Sequence, residues 1–269
     1  SPRIANTSAA DSVNTSFDMT VRTTAANETF TVPCQNVGTF NATIDWGDGS
    51  SSTIAAYNDA DLVHTYASAG DHSISISGTF PNIYFAYAGD RMKVIAVTNL
   101  GEVGWQTFKS AFMGCEYMTT FNFGTHTDTS SITDMSGMFR ACKRISTLNL
   151  STLNTSSVTN FSYMFSQVMS HSSTWPASLD ASGLDTSNGT NFSYMFHFML
   201  YSTSLNVSNF DTSNATNCTS MFEYNVRITS LDVSGFDTSS VTSVQMMFGN
   251  CRALTSLDLS NFDTSNVLY

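Results

Sequence analysis

The stretch MMFGNCRALTSLDLSNFDTSNV, residues 246–267, is helix-like in its first half and strand-like in its second. Similar text recurs upstream, so the reading of one copy decides most of the chain. In the copy holding Met135, Met138, Phe139, Cys142 and Ile145, apolar residues recur at steps of 3, 1, 3 and 3, the spacing of one face of a short helix. The period then changes. Leu148 and Leu150, Leu231 and Val233, and Leu257 and Leu259 alternate with polar residues, as in a short strand. Phe262 and an Asp-Thr-Ser-Asn run follow, residues whose short side chains cap turns. Each unit is expected to be a short helix, a short strand and a returning loop.

Aligned on Phe112, Phe139, Phe165, Phe196, Phe222 and Phe248, the copies are separated by 27, 26, 31, 26 and 26 residues. The triplets that begin at Asp128, Asn154, Asp185, Asp211, Asp237 and Asp263 are separated by 26, 31, 26, 26 and 26. Two independent markers agree on one period, and the unit around Phe165 carries an insertion near residues 167–176. A single unit cannot cover its own apolar face. Stacking it on its neighbours buries the Met, Phe and Leu positions in a shared core.

The pattern MF-x-x-C-x-x-L-x-x-L-D-L-S-x-F-D-T-S-N-V resembles the 26-residue surface-protein repeat of the BspA-like leucine-rich-repeat family. The resemblance implies a solenoid of short helix plus short strand over residues 86–269, in about six units. Upstream, residues 43–46 and 72–77 alternate in the strand period around Gly-Asp turns. The run DWGDG at 45–49, with HTY at 64–66 and AGD at 69–71, resembles a PKD-type Ig-like domain. That resemblance implies a β-sandwich over residues 16–85; residues 1–15, without periodicity, read as a flexible arm. The expected fold class is mixed and β-rich, an Ig-like β-sandwich followed by a leucine-rich-repeat-type solenoid.

Ten Lys and Arg against twenty-one Asp and Glu give a formal charge of -11, so the cationic surface that neutralises phosphate backbones is missing. No nucleic-acid partner is expected. No apolar run reaches the roughly 18 residues needed to cross a bilayer, so no membrane span is expected. The first residue is not Met, and the chain reads as processed or partial, which permits export. Five cysteines fit neither a CxxC metal knuckle nor a paired framework. Cys115, Cys142 and Cys251 each follow an anchor Phe by three residues and read as buried thiols.

The five histidines fall in no hydrolase motif, and HExxH, GxSxG and phosphate-loop patterns are missing, so no enzyme is expected. Equivalent residues of stacked repeats align along one edge. Asp211, Asp237 and Asp263 are therefore either a row of carboxylates for Ca²⁺ or caps of their own turns; no other cofactor is implied. Tyr163 and Tyr194 precede their anchor Phe by two residues, and Trp175 lies in the insertion. These three either stack on sugar rings or fill a protein pocket, or more plainly pack within the fold. Asn-x-Ser/Thr sequons at Asn27, Asn41, Asn149, Asn154, Asn160, Asn188, Asn191, Asn206, Asn214 and Asn217 are glycan acceptors wherever the source has a secretory glycosylation pathway.

Both resemblances imply an exported protein on a cell or virion surface. The expected function is a non-catalytic adhesion module whose solenoid surface contacts a protein or glycan on a host or neighbouring cell. The alternative is a structural subunit that self-assembles into a homo-oligomer, filament or coat through its N-terminal arm and solenoid ends.

Overall fold

The computed structural model describes residues 13–269; the expected flexible arm falls almost wholly outside them. The alternation read at 43–46 and 72–77 forms strands β3 (Asn41–Asp45) and β6 (Gly70–Thr79). With β1 (Phe17–Thr23), β4 (Ser51–Ile54), β7 (Val94–Asn99) and β8 (Thr120–Phe121) they make a six-stranded sheet in the order β4-β3-β6-β1-β7-β8. In β1, Phe17, Met19 and Val21 alternate inward, and all are buried. A separate antiparallel pair, β2 (Glu28–Thr31) with β5 (Val63–Tyr66), adds Phe30 and Tyr66 to the same core.

The DWGDG turn is clipped to that pair. The Tyr66 hydroxyl donates to the Trp46 carbonyl at 2.9 Å, and the His64 ring stacks on Trp46 with centroids 4.8 Å apart. Asp48 reaches His64 Nε2 at 2.7 Å. The sheet does not stop at residue 85: β7 pairs antiparallel with β1 and parallel with β8, which already belongs to the first repeat. The join between the two regions is a continuous hydrogen-bonded sheet.

The repeats depart from the expected helix-plus-strand solenoid. Among the described residues there is no α-helix, only three short 3-10 turns, and the sheets are mixed. The residues expected to be helical form consecutive tight turns. Met138 N donates to Met135 O at 3.1 Å, Arg140 N to Gly137 O at 3.1 Å and Cys142 N to Phe139 O at 2.9 Å. The N–H groups between them leave the repeat: Gly137 N donates to Ser162 O at 2.8 Å, Phe139 N to Met164 O at 3.0 Å and Ala141 N to Ser166 O at 2.8 Å. A helix would direct all of these at the carbonyl four residues back. Left-handed backbone at Gly137 (φ 63°) and Ala141 (φ 59°) interrupts any helix at those points. The turns still point Met135, Met138, Phe139, Cys142 and Ile145 inward, which is why their spacing imitates a helix face.

The strand half is also sparser than its alternation suggests. Among the described residues, besides the two-residue β8, only β9 (Ala177–Asp180) and β10 (Ser202–Asn206) form strands there, pairing in parallel, and Leu259 is exposed. Order instead runs between repeats. Parallel bridges connect Asp134, Asn160, Asn191, Asn217 and Ser243 in series. The anchor rings stack from Phe112 through Phe139, Phe165, Phe196 and Phe222 to Phe248, with centroids 6.3, 5.9, 5.6, 5.7 and 5.6 Å apart. The Thr of the Asp-Thr-Ser triplet is a buried clip. Thr212 Oγ1 donates to Asp237 O at 2.8 Å and accepts from Asp237 N at 2.9 Å, and Thr186 and Thr238 repeat this to Asp211 and Asp263.

Candidate binding surface

The residue two before each anchor Phe has a left-handed backbone in every copy: Ser110, Gly137, Tyr163, Tyr194, Ser220 and Met246, with φ between 50° and 63°. That conformation suits Gly and penalises bulk, yet two copies place tyrosines there. Their rings stack face to face, 4.6 Å apart and 4° from parallel. The Arg140 guanidinium lies 4.2 Å from the Tyr163 centroid and 5.6 Å from that of Tyr87, so Tyr87, Arg140, Tyr163 and Tyr194 form a continuous row. Beyond Tyr194 the row turns through His197, edge-on at 5.4 Å, to Phe198 and Tyr224. Both tyrosines are half-buried.

Burial and the neighbouring Tyr194 push the Tyr163 hydroxyl pKa up, with Arg140 opposing. Burial pushes the His197 pKa down against the opposing pull of Glu223. Arg140 Nε is buried without a hydrogen-bond partner, and among the described residues Arg140, Arg144 and Arg227 have no carboxylate within ion-pair distance.

Trp175 is elsewhere. It follows the 3-10 turn Ser172–Thr174 of the insertion and is 50% exposed. Arg227 caps it at 4.5 Å and Tyr201 at 5.2 Å, and no ring contact among the described residues links this cluster to the tyrosine row. Sequence reasoning thus found three aromatics and missed the arginines that order them. The signal was present: Arg140, His197 and Glu223 all follow an anchor Phe by one residue, and Tyr117, Arg144, Tyr201 and Arg227 by five.

The acidic row takes up turn geometry. Asp211, Asp237 and Asp263 each accept, through Oδ1, from the backbone N–H two residues on, at 2.9, 2.9 and 2.8 Å. Among the described residues no group of three or more His, Cys, Asp or Glu is placed to hold a metal ion. The sequons divide by accessibility. Asn27, Asn41, Asn149, Asn154, Asn188, Asn206 and Asn214 are exposed, whereas Asn160, Asn191 and Asn217 are half-buried in the bridge series. The Asn188 and Asn214 amides already donate to Ser156 O and Ser187 O, both at 2.7 Å. All five cysteines are free thiols, and burial raises Cys34 and Cys218 to about 12, far from reactivity.

A stack of turn-built repeats carrying an aromatic row defines a repeat protein. Residues 106–206 and 173–269 match the family described as "Mycoplasma protein of unknown function, DUF285"; these matches span more than half of the chain, which belongs to that family. No curated protein and no solved structure matches it.

Proposed function

We propose that this protein is a non-catalytic binding module, displayed outside a cell or on a virion, whose repeat surface contacts a protein or glycan on a partner cell. The observation that carries this reading is the stacked Tyr163–Tyr194 pair on left-handed backbone, flanked by Arg140. Gly137, Ser110 and Ser220 serve the same turn with small residues, and of the three bulky residues there, Tyr163, Tyr194 and the exposed Met246, the tyrosines stack as a pair. Half-exposed flat rings beside a guanidinium are a common form of contact hot spot. The resemblance to BspA-like repeats and PKD-type domains supports the same surface role.

The test is attachment of the purified chain to cultured cells, wild type against a Tyr163→Ser, Tyr194→Ser, Trp175→Ser triple variant whose melting transition is unchanged. Attachment is expected to fall about tenfold or more, as for loss of central aromatic contacts. Unchanged attachment removes the site assignment. A chain that sediments as a polymer and binds no cell favours self-assembly instead.

A further inference from the structure

Tyr117 and Arg144 occupy the same repeat phase in the first two repeats, and the Arg144 guanidinium lies 4.6 Å from the Tyr117 centroid. Tyr117 is 44% exposed and Met92 36%. Together they line a groove of about 740 Å³ at the join, where Ile95 and Ala96 of β7 and Thr20 of β1 supply other lining residues. Its size is that of a small-molecule site.

The charge in this groove runs against the rest of the protein. The chain has ten cationic side chains and twenty-one acidic ones, yet the groove is lined by Arg22, Lys93 and Arg144 against a single carboxylate, Glu28. Two of the cations are committed: Arg22 to Asp71 at 2.6 Å, and Lys93 to Glu28 at 3.1 Å and Asp90 at 2.9 Å. Arg144 has no carboxylate partner among the described residues. Its planar fork of donors suits a carboxylate or sulfate. Thr20, Thr24 and Thr119 also line the groove.

We propose that this groove binds an acidic saccharide: its carboxylate or sulfate on Arg144, an apolar C–H face of a sugar ring against Tyr117, and its hydroxyls toward the threonines. A neutral sugar leaves Arg144 unused, and a purely aliphatic acid leaves the threonines unused. The site shares no residue with the tyrosine row, so it stands or falls separately from the cell-attachment reading.

Calorimetric titration of the full chain with a heparin-derived hexasaccharide, a hyaluronan hexasaccharide and neutral cellohexaose tests it. At least one acidic probe is expected to bind about tenfold or more tightly than cellohexaose, weakening with salt. Hyaluronan alone assigns a carboxylate ligand, heparin alone a sulfate. Arg144→Gln is expected to lose about tenfold, and so is Met92→Glu, which adds a carboxylate at an exposed wall position without touching the Tyr117–Arg144 pair. Tyr163→Ser with Tyr194→Ser should leave this binding unchanged. The proposal is overturned if neither acidic probe binds, if cellohexaose binds equally, or if affinity survives both groove variants.

Discussion

The sheet region before residue 106 and the repeats after it solve the same problem, burying large apolar side chains, by opposite means. In the first, long strands pair across wide sequence separations, β1 with β6 and β7, and each strand's alternation decides which face goes inward. In the second, almost nothing is a strand. Tight turns satisfy some N–H groups locally and send the rest to the next repeat, one copy away. The sheet region depends on particular distant pairs, whereas the stack spreads its stability over a sum of neighbour contacts. A side chain can therefore change most freely in the stack where it is exposed and outside the turn cap, away from the buried Met, Phe, Leu and Cys positions and the Thr clip.

The comparison breaks most readily at an anchor ring. Phe165 is fully buried between Phe139 and Phe196, so Phe165→Ala should cost about 3–5 kcal/mol in chemical denaturation. It should split the stack's transition from that of the sheet region; one undivided transition would show that the continuous sheet through β7 and β8 makes the two regions a single cooperative unit. In the sheet region the corresponding weak point is backbone. Gly47 has φ 79°, and a Cβ there would run into the Ser73 carbonyl oxygen, so Gly47→Ala should destabilise by more than about 1 kcal/mol. Far-UV circular dichroism against urea measures both.

A smaller effect isolates the clip between repeats. Thr212→Val keeps the shape and removes two part-buried hydrogen bonds to the Asp237 backbone, for a loss of about 1 kcal/mol or more. The smallest effect is pH. Serine hydroxyls and backbone N–H groups hold the Asp185, Asp237 and Asp263 carboxyls below their ordinary values, and Ser50 with His64 holds Asp48 at about 2. A folded pKa below the unfolded one stabilises above the unfolded pKa, about 4, and that contribution is lost as pH falls through the folded value. Stability should be level through neutral pH and decline below about pH 4. Asn154 already builds the same turn without a charge, accepting from Ser156 N at 3.0 Å. The triple variant Asp185→Asn, Asp237→Asn, Asp263→Asn should therefore fold normally and show a shallower acid decline.

How much of this was legible differs along the chain. The strands at 43–46 and 72–77 were visible because a pleat ties side-chain direction to sequence parity. The repeat phase was visible because identical residues recur at 26; Cys115 and Cys142 are buried as expected, whereas Cys251 and its anchor Phe248, in the last copy, are only half-buried. The helix was not there to find. Steps of three and one describe which side chains point inward, and three consecutive tight turns with left-handed residues meet that pattern as well as a helix does. Tyr163 and Tyr194 were legible as a matched pair at one repeat phase; Trp175 joined them only by residue type, and it packs in a different cluster.

The sequence by itself determined the period, the inward positions and the capping residues, because each is a local property of a side chain and its neighbours. The destination of each N–H group was decided by tertiary structure, since the carbonyl that accepts it belongs to the next repeat. So were the pairings of Arg140 with Tyr163, Arg144 with Tyr117 and Arg227 with Trp175. Those partners lie one or more turns of the stack apart, and only the superposition of repeats brings a guanidinium over a ring.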